Sequence, residues 1–145
     1  MKCLTQSIPD VLIIEPKVHR DERGFFVETA RENLHNQIGL PKLIQHNHSR
    51  SAKGVLRGLH YQLINPQGKL VRCSNGKIFD VAIDIRKNSD YFGAWVGAIL
   101  DDKNHNQLWV PPNFAHGFLV LSDFADVCYS CTNYYSPSSE KGIAW

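Results

Sequence analysis

The chain has 145 residues, 43% hydrophobic and 21% charged, with a formal net charge of +2. That length holds one core rather than two, the composition excludes a disordered chain, and the weak, scattered positive charge argues against nucleic acid while leaving room for a small anion held by a few placed Arg and Lys. The N-terminal MKCLTQSIPDVLIIEPK is broken by Pro9 and Asp10 and has no signal-type apolar stretch, and no apolar run reaches membrane-spanning length, so a cytoplasmic protein is expected.

Along the chain, VLIIEP (11–16) and GFFVETA (24–30) read as short strands. ARENLHNQIG (30–39) is the one helical turn, stopped by Gly39 and Pro41. In QHNHSRS, period-two geometry puts His46 and His48 on one face. GVLRGLHYQ (54–62) is a strand in which Arg57 and His60 have opposite parity, and Gly58 between them is a natural bulge site that would turn both toward one pocket. KLVRCS (69–74), Asn75-Gly76 and IFDVAIDI (78–85) read as a hairpin. Its register opposes Val71 to Asp80 and Lys69 to Ala82. Lys69 and Asp80 then become diagonal neighbours on one sheet face, with Asp84 further along. Leu70, Phe79, Val81, Ile83 and Ile85 fall on the other face, which needs cover from a second sheet or another subunit. A lysine and two aspartates at mid-strand mark their own face as a cavity wall.

AWVGAIL, QLWVPP, GFLVLS and VCYSCTNYY complete the strands, and in the last Tyr129 and Tyr135 share parity. Many short strands parted by Pro, Gly, Asn, Asp and Ser clusters point to an all-β fold. The best match is an antiparallel jelly-roll β-barrel or sandwich with little helix, one domain over residues 1–145.

The cysteines are Cys3, Cys73, Cys128 and Cys131. Cys128 and Cys131 form a CxxC, but positions three apart in a strand face opposite ways and no second ligand pair completes a metal site, so four reduced thiols are expected. Of the seven histidines, His19, His35 and His105 sit in polar, loop-like contexts and read as solvated. His60 and His116 lie inside apolar strands. Their two segments resemble the paired motifs of the cupin superfamily. Gly54-VLRGL-His60 has the spacing of the first motif, with Gln62 at the second histidine and no glutamate. Pro111-Pro112-Asn113-Phe114-Ala115-His116 has the spacing of the second, and Asn113 replaces a glycine as a residue that tolerates left-handed backbone. Two histidines and a glutamine are a poor ligand set for iron or manganese, so neither metal nor cofactor is expected. A cavity with a His, a Lys, an Arg and tyrosines suits proton transfer at a carbon beside a ketone. Such chemistry needs a base, a cation for the enolate oxygen and an acid on the opposite face. His60 suits the base, Lys69 the enolate and a tyrosine the acid.

Six ordered blocks carry a closer resemblance: DERGFFVE (21–28), QHNHSRSAKGVLRGLHYQ (45–62), QGKLVR (67–72), FDVAIDIRKNSDYFGAWVG (79–97), QLWVPPNFAHGFLVLS (107–122) and TNYYSPSSEKGIAW (132–145). Together they are similar to the dTDP-4-dehydrorhamnose 3,5-epimerase family. The resemblance implies epimerisation of dTDP-4-dehydro-6-deoxy-D-glucose at C3 and C5 by a homodimer without a cofactor, in rhamnose and polysaccharide precursor synthesis. It implies His60 as proton acceptor, Tyr129 as proton donor, and Lys69 near the ketone with Asp80 on its face. Arg57 would contact the diphosphate, and Arg23 and Glu28 the nucleotide in the neighbouring subunit's pocket. Gln45, Asn47, His116 and Glu140 would line the site, and Tyr135 would flank the thymine. The family pattern reads Gln-Asp-Asn where this chain has Gln45-His46-Asn47. It also continues past the tryptophan matching Trp145 into a tail with an aspartate partner for the base and a substrate lysine. The chain as given lacks this tail, so the expectation is either that another acid substitutes, for which Asp80 or Asp84 would serve, or that this is a truncated or weakened member. The competing readings are a single-site 3- or 5-epimerase, a 3,4-ketoisomerase and a non-catalytic dTDP-sugar-binding protein.

Overall fold

Strands with one apolar and one mixed face bury the apolar face by stacking in layers. The computed structural model describes residues 1–145 and contains thirteen strands. In chain order these are β1 (Lys2–Thr5), β2 (Leu12–Glu15), β3 (Val18–Asp21), β4 (Gly24–Val27), β5 (Gln45–Ala52), β6 (Leu56–Gln62), β7 (Lys69–Asn75), β8 (Lys77–Asp84), β9 (Trp95–Asp101), β10 (Gln107–Val110), β11 (Phe114–Val120), β12 (Phe124–Cys131) and β13 (Glu140–Gly142). A short helix, α1 (Glu32–Gln37), lies between β4 and β5 where the helical turn is expected, and Gly39 follows it with φ 77°. Six strands form one antiparallel sheet in the order β1-β2-β10-β7-β12-β5, and five form the other in the order β13-β6-β11-β8-β9. β3 and β4 stand apart as a hairpin. This is the expected antiparallel jelly-roll sandwich.

The main core lies between the sheets. Val71, Leu108, Val110 and Val127 from the six-stranded sheet pack with Ile78, Ala82, Val96, Leu100, Phe114, Phe118 and Val120 from the five-stranded one. Each such side chain contributes about 1.5–3 kcal/mol by leaving water. Toward the edges marked by β5 and β13 the inward positions become polar, and there the sandwich opens into a cavity.

The Asn75-Gly76 hairpin does not form. β7 pairs with β10 and β12, whereas β8 pairs with β11 and β9. The chain crosses from one sheet to the other at Gly76, whose φ is 84° and where a Cβ would strike the Phe124 carbonyl oxygen. Stacking the two strands across the core buries Val71 and Cys73 with Ile78 and Ala82 in one cluster, which pairing them side by side would not achieve. Lys69 and Asp80 are therefore not neighbours on one sheet. They project inward from facing sheets. The second sheet covers the Ile78, Asp80, Ala82 and Asp84 face of β8. Phe79, Val81, Ile83 and Ile85 lie on the outside with Leu59, Tyr61 and Ala115, and Trp95 and Ile99 on neighbouring β9 are exposed. Leu70 faces outward from the other sheet, under Ile14, Leu40 and Trp109.

His35 and His105 are buried, not solvated: His35 lies in α1, and the His105 ring sits 4.4 Å from Phe25. His19 is exposed. All four cysteines are free thiols, with Cys131 buried and Cys128 half-buried.

Candidate active site

A cavity of about 430 Å³ opens between the sheets. Inward-facing Gln45, Asn47 and Ser49 of β5, Lys69 of β7 and Tyr129 of β12 make one wall. Arg57 and His60 of β6, His116 and Phe118 of β11 and Glu140 of β13 make the other. Tyr135 and Gln67 come from loops at the rim.

Arg57 and His60 share this cavity because the β6–β11 ladder slips between His116↔His60 and Phe118↔Arg57. Two residues of β6, Gly58 and Leu59, thus oppose Gly117 alone, which is a bulge and restores a common face for opposite parities. Gly58 has φ 93°, and a Cβ there would strike the His116 carbonyl oxygen. The Gly58–Leu59 peptide is cis, and the Trp145 indole N–H donates to the Gly58 carbonyl at 2.9 Å. Arg57 Nε donates to Ser51 Oγ at 2.8 Å, which aims the guanidinium.

The imidazole of His60 is held neutral. Burial, followed by the charges of Lys69 and His116, pulls its pKa down to about 4, against a weaker upward pull from Glu140. Glu140 Oε1 stands 4.0 Å from His60 Nε2, and its other oxygen accepts the Tyr135 hydroxyl at 2.6 Å. Lys69 is 4% exposed. Burial lowers its pKa, with Cys131, Asp80 and Glu140 opposing, and Cys131 is its cross-strand partner. Burial raises the Tyr129 phenol, so it remains a proton donor through neutral pH.

A chain of side-chain bonds ties the wall to the rim: the Tyr135 N–H donates to Gln45 Oε1 at 2.8 Å, Gln45 Nε2 to Asn47 Oδ1 at 3.1 Å, and Asn47 Nδ2 to Cys131 Sγ at 3.7 Å. Gln62, at a cupin ligand position, spends its amide on loops. It donates to the carbonyls of Ile64, Asn65 and Tyr134 and accepts the Ser136 N–H.

Two expected positions change. Asp80 is fully buried behind His116, whose Nε2 lies 2.8 Å from Asp80 Oδ1. Asp84 is bound by Arg86 and Ser89. Neither aspartate reaches His60; the hairpin reading misplaced them by putting β7 and β8 in one sheet. His46 points out of the far face of the six-stranded sheet, with Nδ1 2.7 Å from Ser130 Oγ, so the histidine in Gln45-His46-Asn47 lies outside the cavity. Arg23 and Glu28 also lie outside it: Arg23 pairs with Asp21 on the hairpin, and Glu28 with Arg31. Sequence reasoning missed Ser51, Gln62 and Cys131, which act on the site through hydrogen bonds or strand register. Only Gln62 carried a signal, its place in the cupin motif.

The arrangement sets a neutral base and a protonated phenol on opposite walls, beside the buried Lys69 amine, which no side-chain acceptor binds. Abstraction and return of a proton on two faces of a carbon next to a carbonyl fits this geometry.

The family model described as dTDP-4-dehydrorhamnose 3,5-epimerase matches residues 5–145. A Salmonella typhimurium protein named dTDP-4-dehydrorhamnose 3,5-epimerase is 55% identical over 148 residues, covering 100% of this chain and 81% of its own. An Escherichia coli protein of the same name is 54% identical, covering 100% of this chain and 80% of its own. Among solved structures, dTDP-6-deoxy-D-glucose-3,5-epimerase from Legionella pneumophila in complex with dTDP-4-keto-L-rhamnose superposes with TM-score 0.97 at 50% identity, covering 99% of this chain and 78% of that one.

Proposed function

The chain belongs to the dTDP-4-dehydrorhamnose 3,5-epimerase family, and on that footing we propose how its cavity inverts C3 and C5 of dTDP-4-dehydro-6-deoxy-D-glucose to give dTDP-4-dehydro-L-rhamnose. His60 takes the proton from the carbon beside the C4 ketone. The electron pair moves onto the ketone oxygen, where the Lys69 ammonium stabilises the enolate. Tyr129 returns a proton to the opposite face, the carbonyl re-forms, and the centre is inverted. Solvent then takes the proton from His60 and restores the Tyr129 phenol, after which the same cycle serves the second carbon. No electrons are gained or lost, so the reaction calls for no cofactor.

The observation that carries this reading is the placement of His60 and Tyr129 on opposite sheets of one cavity. Arg57 takes the diphosphate, Tyr135 the thymine face, and Gln45, Asn47, His116 and Glu140 hold the rest of the sugar nucleotide. Asp80 serves by orienting His116.

The same proposal includes a homodimer in the cytoplasm. Two features support the dimer: the apolar outer face of the five-stranded sheet, and a β3–β4 hairpin that presents Phe25 and Phe26, 54% and 70% exposed, to solvent. Arg23 in that hairpin's turn and Glu28 just after β4 then contact nucleotide in the neighbouring subunit.

Proton NMR of the substrate in heavy water with purified protein tests the reaction. Loss of both the C3 and C5 proton signals is expected. Loss of one alone redirects the assignment to a single-site epimerase, and no loss despite dTDP binding refutes catalysis.

A further inference from the structure

Two loops carry the chain from one sheet to the other at the cavity rim: residues 63–68 from β6 to β7, and residues 132–139 from β12 to β13. Their backbones are laced together. The Gly68 N–H donates to Thr132 Oγ1 and the Thr132 N–H to the Gly68 carbonyl. Gln67 Nε2 donates to the Asn133 carbonyl and Asn133 Nδ2 to the Pro66 carbonyl.

Gln62, at the end of β6 and 6% exposed, joins both loops. Its Nε2 donates to the Tyr134 carbonyl at 3.1 Å, and its Oε1 accepts the Ser136 N–H at 2.8 Å. One amide therefore grips the backbone on both sides of Tyr135. The same Nε2 reaches the Ile64 and Asn65 carbonyls at 3.0 and 2.8 Å. From the facing sheet, Gln45 Oε1 accepts the N–H of Tyr135 itself at 2.8 Å. The result is an aromatic ring 50% exposed to solvent on a backbone held from both walls.

We propose that Gln62 is a positioning residue for nucleotide recognition, which fixes the backbone of Tyr135 so that its ring is a formed stacking surface before any nucleobase arrives. This rests on the reading above that Tyr135 takes the thymine face.

A ring on a free loop must be ordered when the base docks, and that ordering subtracts from affinity; a ring ordered in advance avoids the loss. The task also explains the residue type. The position needs donors for the carbonyls of two loops and an acceptor for the Ser136 N–H at one side-chain end. A primary amide has two donor hydrogens and an acceptor oxygen, whereas a carboxylate only accepts and a neutral imidazole donates once. The histidine of the cupin motif could not do this work, nor could a leucine, which would leave buried carbonyls unpaired.

A mutant cycle tests this: wild type, Gln62→Leu, Tyr135→Ala and the double variant, each titrated with dTDP. Gln62→Leu is expected to weaken dTDP about three- to tenfold, the worth of ordering one side chain, and to raise KM more than it lowers kcat. In the Tyr135→Ala background the same change should cost less than about twofold, because the ring it serves is gone. Gln62→Glu keeps the length and the acceptor but loses both donors, and it carries the same expectation should the leucine variant not fold. In ligand-free wild type, the Tyr135 and Ser136 amides should already exchange slowly with heavy water. Undiminished dTDP affinity in the Gln62 variants, an equal loss with and without the Tyr135 ring, or freely exchanging amides at 135 and 136 overturns the proposal. Full dTDP affinity in Tyr135→Ala would instead refute the thymine contact itself, and the proposal with it.

Discussion

A histidine accepts a proton only from its neutral form, and the surroundings of His60 settle that form well below neutrality. Its folded pKa of about 4 lies under the ordinary 6.5, with burial the largest cause. Protonation therefore removes the base only in acid. The pH profile of kcat/KM, which reports groups of the free enzyme, is expected to stay level through neutral pH and to lose activity only on approach to about 4. An acid limb centred near 6.5 would refute the role of burial. His60→Asn removes the base while keeping much of the side chain's volume. Proton exchange should drop by about 10²–10⁴-fold with dTDP still bound, and near-normal turnover would remove His60 from the mechanism. His60, Lys69 and Arg57 were legible as chemistry-bearing residues before the fold was known, because they are polar groups in strand segments that match family blocks, whereas Tyr129 took its role from the resemblance alone. The places of Asp80 and Asp84 were not legible: both have suitable chemistry for a partner of His60, but only the sheet assignment shows that one serves His116 and the other Arg86.

At the scale of the element, the β6 bulge is what makes a site of Arg57 and His60. Gly58→Ala puts a Cβ against the His116 carbonyl at a φ of 93°, and strain of this kind costs about 1–3 kcal/mol. The variant should unfold at a lower temperature in a thermal melt, and the fraction that remains folded should turn over slowly because the two side chains no longer converge. Wild-type melting temperature and kcat together would show that the bulge is incidental. The bulge could be read from parity and a glycine. The crossing at Gly76 could not: Asn-Gly favours the same positive φ whether the chain reverses within a sheet or passes to the next, and long-range burial decides between them. β5 was equally silent as a strand. Its inward positions are Gln45, Asn47, Ser49 and Ser51, polar because they line or flank the cavity, so the hydrophobic alternation that announces a strand is missing where the site is built.

For the whole molecule, the sandwich leaves one apolar sheet face outward, with Trp95 and Ile99 59% and 50% exposed. Sedimentation of the wild type should give the mass of two chains. Ile99→Asp alters no core contact within one chain and should shift the protein toward monomer at low concentration; a monomeric wild type would remove the dimer from the proposal. The crossing at Gly76 has one more consequence. Because β5, β6, β7 and β8 alternate between the two sheets, β12 closes between β5 and β7, and β11 between β6 and β8. Each catalytic wall is therefore assembled from segments far apart in the chain. Such pairings form late and slowly when a chain folds. No partly folded species can hold the substrate pocket, so a nucleotide spanning both walls acts as a clasp on the finished molecule alone, slowing amide exchange in the strands of both sheets together.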